Sequence, residues 1–230
     1  MKTIGLLGGM SWVSTHMYYS LLNKATAKRR GLGYQPPILL KSFDYQALFD
    51  LQMAGKEDQV GVELAKGAKD LESIGADVVA ICANTMHRHY GVVQEAVSVP
   101  VMHVVDATAQ AIQSAGFKNA GLLGTRYTME GDFYRPLFKN KFEVETTIPN
   151  EQDRVDVERI IRTELTSDIV SDESRAIYLQ VIEHLAGQGA ECVILGCTEI
   201  GLLINQSQTP TPLFDTTVLH AQALVNWALS

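Results

Sequence analysis

The sequence predicts an α/β protein made of two pseudosymmetric domains, each a mainly parallel sheet flanked by helices. Two stretches carry this prediction, residues 75–87 and 189–201, which match without a gap when they are aligned from their first glycines. Each reads Gly-Ala-acid, then a continuous apolar run, then small and hydroxyl residues. Such a run bounded by glycine is typical of a strand buried on both faces of a parallel sheet. Other landmarks also recur in the same order, which indicates an internal duplication.

The first recurring landmark is a strand followed by a glycine turn. Residues 3–7 predict a short buried strand, Gly8 and Gly9 a tight turn, and Ser11 or Ser14 the cap of a helix that runs to about Arg30. Residues 120–125 repeat the strand and the turn. Backbone N–H groups at such a junction favour contact with an anion.

The rest of the chain reads as alternating strands and helices. The apolar-Asp-x-Thr pattern after Pro100 recurs after Pro212. Strands are predicted at 38–43, 75–83, 99–105, 142–149 and 189–196, and helices at 50–73, 86–96, 106–115, 152–166, 174–188 and from 216 to the end.

The duplication predicts two α/β domains that face each other. We expect the first domain to comprise residues 1–102 and 213–230, and the second residues 103–212. Ligands of α/β proteins bind at the carboxyl ends of the strands. The expected site is therefore a cleft between the domains, to which both glycine turns and both core strands contribute.

Composition narrows the class of protein. The 230 residues are 46% hydrophobic and 20% charged, with a formal net charge of −7, which gives nucleic-acid binding no electrostatic support. No apolar run is long enough to span a membrane, and the N-terminus enters a strand pattern directly. Three unevenly spaced cysteines form neither a disulfide framework nor a zinc pattern, so reduced thiols in the cytoplasm are expected.

Cys197 is the favoured catalytic residue. It follows a buried strand between Gly196 and Thr198, where helix N–H groups can stabilise a thiolate. Cys192, in mid-strand, reads as a core residue. Cys82 is the less favoured second candidate, because the self-alignment pairs Cys197 with Ala83, and neighbouring strand residues point to opposite faces.

Polar residues at the strand ends complete the predicted site. Asn84 and Thr85 follow the first core strand, and Thr198 and Glu199 follow the second, which suits a small polar acid held at both ends. His87 and His89 are spaced by two and do not share a helix face, so no metal site is expected. Further candidates at strand ends, each also explicable as a helix cap, are Asp44, Gln52, Thr125 and Thr128.

Four motifs together resemble the aspartate/glutamate racemase family. They are Gly-Leu-Leu-Gly-Gly-Met at 5–10, Ala-Asn-Thr-Met-His at 83–87, Gly-Leu-Leu-Gly-Thr at 121–125 and Gly-Cys-Thr-Glu-Ile at 196–200. The resemblance spans essentially the whole chain. It implies a PLP-independent isomerase that needs no cofactor, takes a small dicarboxylic amino acid and forms a homodimer. The turn at 8–11 lacks the Asp usual in glutamate racemase and is closer to the aspartate racemase branch.

The resemblance also implies residue roles. Two groups flank the substrate α-carbon, one removing the α-proton and the other delivering a proton to the opposite face, and Cys197 matches one of them. The implied substrate-binding residues are Met10, Gln52, Asn84, Thr85, Thr125, Thr198 and Glu199. The family usually has a cysteine immediately before Asn-Thr, where this chain has Ala83, which cannot carry a proton.

Three hypotheses follow from this departure. In the first, the protein racemises aspartate, glutamate or a similar acid, and Cys82, a water or Thr85 relaying a water serves the second face. In the second, it is a lyase that needs a single cysteine, similar to arylmalonate decarboxylase. In the third, it binds an amino acid without catalysis. Release of CO₂ from disubstituted malonates tests the second hypothesis, and a tightly bound ligand with no solvent exchange at its α-carbon would support the third.

Overall fold

The computed structural model describes all residues from Met1 to Ser230 and divides them into two compact units. Unit 1 comprises Met1–His103 and His220–Ser230, and unit 2 comprises Val104–Leu219. The strands are β1 Ile4–Gly8, β2 Ile38–Ser42, β3 Val78–Ile81, β4 Val101–Met102, β5 Asn119–Leu123, β6 Glu145–Thr147, β7 Cys192–Leu195 and β8 Leu213–Asp215.

Helices follow most of the strands. They are α1 Trp12–Arg30, α2 Tyr45–Met53, α3 Glu57–Ser73, α4 Tyr90–Ala96, α5 Val104–Ser114, α6 Arg126–Glu130, α7 Arg135–Phe142, α8 Glu151–Thr163, α9 Asp172–Gly187, α10 Ile200–Leu203 and α11 Thr216–Leu229. Short 3-10 helices span Thr85–His89, Leu165–Ser167 and Gln206–Gln208. None of the helices combines the length and the apolar character needed to cross a bilayer.

Each unit contains one four-stranded sheet whose neighbouring strands are all parallel. The strand order is β2-β1-β3-β4 in unit 1 and β6-β5-β7-β8 in unit 2, which is the same topology twice. The pairing register repeats as well. Ile4 lies opposite Val78 in unit 1, and Ala120 lies opposite Cys192 in unit 2. These are the residues that the self-alignment makes equivalent, so the predicted duplication and fold class are confirmed.

The sheet of unit 1 is buried on both faces, as its apolar strands predict. Val79 and Ile81 pack against α3 with Leu64, whereas Val78 and Ala80 pack against α1 and α11. This alternation continues past the end of β3. Cys82 belongs to the core on the α1 and α11 side, and Ala83 belongs to the core on the α3 side. The core of unit 2 is formed by its sheet together with α5 and α7 to α9.

The boundary between the units differs from the expected one. Residues 213–219 were expected in the first domain, but they lie in unit 2 because β8 pairs with β7. Of the residues after 212, only those from His220 onward belong to unit 1, and His103, expected to begin the second domain, also lies in unit 1.

Three predicted elements are also shorter or divided. The helix expected at 50–73 is two helices, α2 and α3, because Gly55 lies between them with a φ of 68°. The strand expected at 99–105 is limited to β4, since α5 already begins at Val104. The strand expected at 142–149 is limited to β6, because Phe142 ends α7 and Glu143 then takes a left-handed conformation.

Candidate active site

The first cluster of candidate residues lies where β1 turns into α1. Gly9 has a φ of 82°, and a Cβ there would overlap the backbone of Phe43. Glycine is therefore required at this turn. The N–H of Gly9 donates to Thr15 Oγ1 at 2.8 Å, and Ser11 caps α1 by accepting from the N–H of Ser14 at 3.2 Å. Ser11 is thus the cap, one of the two residues predicted for it.

Asn84 and Thr85 follow β3 at the carboxyl edge of the same sheet. Asn84 is buried, and Thr85 begins the 3-10 helix Thr85–His89. The hydroxyl of Ser14 donates to the carbonyl of Cys82, which fixes the end of β3 against the first turn of α1. The glycine turn and the Asn-Thr segment, separated by more than seventy residues in the chain, are therefore brought together in unit 1.

A largely apolar wall lies beside this segment. Met10, Ala83 and Met86 are buried at the edge of the core on the α3 side. Gln52, on α2, places its side-chain amide 3.9 Å from the sulfur of Met86. The thioether groups of Met10 and Met86 and the methyl group of Ala83 carry no charge and little polarity.

Cys82 is buried in a different environment from its neighbour Ala83. Its side chain is 1% exposed and belongs to the core cluster of Tyr18 and Leu22. Burial raises the pKa of the Cys82 thiol far above its ordinary value, so the thiol is protonated at neutral pH.

Three histidines lie directly behind the Asn-Thr segment, a feature that the sequence analysis did not predict. His87 donates from Nδ1 to the carbonyl of Ala83 at 2.9 Å, and its ring lies 4.7 Å from that of His103 and 5.9 Å from that of His220. His220 Nε2 donates to the carbonyl of Met102 at 3.0 Å, which leaves Nδ1 to accept from the hydroxyl of Tyr18 at 2.8 Å. All three imidazoles are buried.

The second cluster lies at the carboxyl edge of the sheet in unit 2. Thr125 caps α6 by accepting from the N–H of Thr128 at 3.3 Å. The N–H of Gly196 donates to the carbonyl of Leu123 at 2.6 Å, and a Cβ on Gly196 would lie only 2.7 Å from that oxygen. This close approach of two loops requires glycine, and it holds Cys197 beside the β5–α6 junction.

Cys197, Thr198 and Glu199 form a hydrogen-bonded group. The Cys197 thiol donates to Glu199 Oε2 at 3.0 Å, and the Thr198 hydroxyl donates to the same oxygen at 2.5 Å. Cys197 is 9% exposed and Glu199 is 3% exposed. A thiol joined to a buried carboxylate can pass a proton to a reacting carbon or receive one from it.

The surroundings of Cys197 stabilise its protonated form. Burial is the largest cause that raises the pKa of the Cys197 thiol, and the carboxylates of Glu199 and Glu158 raise it further. Burial raises the pKa values of the nearby phenols of Tyr134 and Tyr178, and a thiolate at Cys197 would raise them further. The resting thiol is therefore a proton donor, and its deprotonation requires a change in its surroundings or the approach of a substrate.

Cys192 occupies the first position of β7 and is fully buried in the core of unit 2. Burial raises the pKa of its thiol to about 12. We assign it no role in the chemistry.

The structure as a whole defines a duplicated, doubly wound α/β protein with a thiol and a carboxylate at a strand end. A sequence model of the family described as Asp/Glu/hydantoin racemase matches residues 7–224, and the chain belongs to this family.

Several known proteins are similar over their whole length. A Yersinia pestis crystal structure provisionally named an Asp/Glu racemase is 41% identical, with a TM-score of 0.93 and 100% of both chains covered. The crystal structure of an aspartate racemase homologue from Pyrococcus horikoshii OT3 is 31% identical, with a TM-score of 0.89 and the same coverage. The broad specificity amino-acid racemase RacX of Bacillus subtilis (strain 168) is 25% identical over 99% of this chain and 98% of its own. Membership of the family supports an isomerase that acts on amino acids.

Proposed function

We propose that this protein racemises free amino acids without a cofactor, and that Cys197 is the acid/base on one face of the α-carbon. The observation that carries the proposal is the buried hydrogen bond of 3.0 Å between Cys197 Sγ and Glu199 Oε2. The Cys197 side chain alternates between two protonation states. As a thiol it donates a proton to the α-carbanion, and as a thiolate it removes the α-proton. Glu199 exchanges a proton with the Cys197 side chain.

Racemisation requires a second proton carrier on the opposite face. Cys192 lies inside the core of unit 2, so the candidate carriers for this face are Cys82, one residue past the end of β3, and a water, free or relayed by Thr85. We propose that the Cys82 thiol gives its proton to the carbanion as Cys197 takes one, which leaves a thiolate at position 82 and a thiol at position 197. The reverse reaction restores the first state. Ala83 contributes only a methyl group to the site.

The substrate is held by the polar residues beside the two thiols. Asn84 and Thr85 supply amide and hydroxyl groups for the α-carboxylate, and Thr125 supplies a further hydroxyl. Hydrogen bonds to the α-carboxylate stabilise the charge that develops when the α-proton leaves. Met10, Gln52, Thr198 and Glu199 complete the proposed set.

The test is chiral analysis of products formed in deuterated water. Each L-amino acid that is a substrate should yield its D form with deuterium at the α-carbon, and Cys197→Ala should abolish this product. The purified protein should show no absorbance between 400 and 430 nm, and hydroxylamine should not inhibit it, because no pyridoxal phosphate takes part. Exchange of the α-proton with no D product would contradict two-face chemistry.

One observation favours a second candidate function. Ala83 stands where the family usually has a thiol, and a lyase that protonates one face needs only Cys197. Release of CO₂ from disubstituted malonates, with no racemisation of amino acids, would establish this alternative. A bound amino acid whose α-proton never exchanges would instead indicate a binding protein.

The homodimer and the cytoplasmic location that the sequence indicated stay predictions. Light scattering on the eluting peak of a size-exclusion column tests the first, and fractionation of the source cells tests the second.

A further inference from the structure

A surface turn of unit 1 presents an apolar side chain next to a run of positive charges. The chain leaves α1 through the turn Gly31–Tyr34, where the N–H of Tyr34 donates to the carbonyl of Gly31 at 3.4 Å. Gly31 and Gly33 both have positive φ, and Leu32, which lies between them, is 97% exposed. The last turn of α1 supplies three exposed cations directly before it, namely Lys28, Arg29 and Arg30. We call residues 31–34 the Leu32 turn.

An apolar groove with exposed carboxylates lies between α2 and α3 of the same unit. Its volume is about 570 Å³, and its polar lining residues, Asp44, Gln59 and Glu63, are all exposed. The apolar lining residues are Phe43, Ala47, Leu48, Leu51 and Val62. Leu48 is the one buried residue of α2, so the chain alone covers little of this helix. We call this feature the α2–α3 groove.

The charges of the Leu32 turn and of the α2–α3 groove are opposite and unpaired. Neither the three cations of α1 nor Asp44 and Glu63 take part in an ion pair within the chain. Opposite charges on two surfaces favour their association and select the orientation in which they meet.

The Leu32 turn and the α2–α3 groove lie at opposite ends of one strand. β2 follows the turn after two prolines and leads directly into Phe43 and Asp44 of the groove. It is an edge strand in the order β2-β1-β3-β4, so one side of it has no neighbour in the sheet. Leu40, at its middle, is 51% exposed. A two-fold axis beside Leu40 runs two β2 strands antiparallel, which directs the turn of each copy towards the groove of the other.

We propose that two copies of this chain associate through this surface, with Leu32 of each copy inserted into the α2–α3 groove of the other. The cations before the turn then face Asp44 and Glu63, whereas a groove placed against a groove would bring like charges together. A contact that is made twice about a two-fold axis closes the assembly at two copies. The proposal does not depend on the racemase activity, and it assigns a surface to the homodimer that the sequence indicated.

Leu32→Asp tests the apolar part of this contact. The molar mass in solution is measured by sedimentation equilibrium, and the parent should reach twice the 25.3 kDa of one chain. Leu32→Asp should raise the dissociation constant of the dimer about 30-fold or more, as loss of an interface anchor does. The matched control is Ile169→Asp in unit 2, where the parent residue is 51% exposed, and it should leave the constant unchanged. A monomeric parent, or an equal effect of the two variants, would overturn the proposal.

Charge reversal tests the pairing of the turn with the groove. One variant combines Arg29→Glu with Arg30→Glu, and the other is Glu63→Lys. Each alone should be monomeric where the parent is a dimer, because both contacts of its homodimer become repulsive. An equimolar mixture should form dimers again, since one contact of the heterodimer is parental and the other has both charges reversed.

The control for the groove variant is Glu183→Lys, an exposed carboxylate on α9 in unit 2, which alone should keep the dissociation constant of the parent. Circular dichroism verifies the fold of each variant. Dimers that persist in both charge variants, a mixture that stays monomeric, or assembly that grows beyond two copies would overturn the reciprocal contact.

Discussion

The Cys197 thiol lies 3.0 Å from Glu199 Oε2, and the two residues are separated by only one position in the chain. The Thr198 hydroxyl bonds to the same oxygen and fixes the carboxylate. The charge of Glu199 is therefore directed at the sulfur, and it favours the thiol over the thiolate. This relationship gives the proposed acid/base its resting protonation state.

Glu199→Gln tests this relationship through the pKa of Cys197. Burial and then the Glu199 charge raise the pKa of the thiol well above its ordinary value, so removal of the charge should lower it. The alkylation of Cys197 by iodoacetamide, followed by mass spectrometry against pH, should shift to lower pH. Racemisation should fall about 100-fold, because the partner that exchanges the proton is lost.

The matched control is Glu145→Gln, which removes an exposed carboxylate from β6 in the same unit. It should leave the alkylation profile of Cys197 in place. If Glu199→Gln also leaves the profile in place, Glu199 does not set the protonation state of Cys197.

Ala83→Cys and Cys82→Ser test the second face. Cys82→Ser should abolish inversion, because no thiol would then remain at the end of β3. Ala83→Cys, made in the Cys82→Ser background, should restore part of it, because it places a thiol at the position equivalent to Cys197 in the duplicated fold. The measurement is the rate of D-amino-acid formation. Full activity in Cys82→Ser would exclude Cys82 as the proton carrier.

The fold could be predicted from the sequence because the two duplicated halves share the same local sequence patterns. Buried parallel strands are continuous apolar runs, so residues 75–83 and 189–196 could be matched with each other. Ile4 pairs with Val78 and Ala120 pairs with Cys192, which are equivalent positions in that match. The glycine turns could be found because positive φ and close backbone approach leave few alternatives to glycine.

The sequence could not predict the contact among the three histidines or the bounds of the short elements, and the reason is physical. His87, His103 and His220 are brought together by the parallel pairing of β3 with β4 and by the packing of α11, which no local pattern encodes. The helix expected at 50–73 rested on the apolar spacing from Val60 to Leu71, which does not register the break between α2 and α3.

Gly9→Ala should destabilise the protein strongly. Alanine at a φ of 82° is strained, and its Cβ would overlap the backbone of Phe43. The control is Gly33→Ala, where φ is 91° but no atom lies within 4 Å of the added Cβ. We expect Gly9→Ala to lose about 2 kcal/mol or more of unfolding free energy beyond the loss in Gly33→Ala, from overpacking in addition to strain. Urea titration measures both. Equal losses of unfolding free energy in the two variants would mean that the overlap with the Phe43 backbone does not destabilise the protein.

The free energy of unfolding should decrease as pH falls below neutrality. Burial lowers the pKa of His220 to about 3, whereas a histidine in the unfolded chain titrates near 6.5. Between these values the unfolded state binds the additional proton, so stability is lost as pH falls from about 6.5 towards 3, by up to about 1.4 kcal/mol per pH unit for this residue. His87, whose pKa is also lowered by burial, adds to the loss.

His220→Gln isolates this effect, because its amide can still donate to the carbonyl of Met102. The variant should be less stable than the parent at pH 7 and should show a shallower pH dependence between pH 6.5 and 4.5 in urea titrations. Parallel pH profiles for variant and parent would exclude His220 as a source of the acid sensitivity.

The most direct test of the account is α-proton exchange by Cys197→Ser with each enantiomer separately. An amino acid of known L or D configuration is incubated with the variant in deuterated water, and loss of the α-proton signal is followed by NMR. If Cys197 serves one face and another group serves the other, exchange should be abolished from one enantiomer and retained from its mirror image, with inversion lost from both. Exchange from both enantiomers at the rate of the parent protein would contradict the role of Cys197.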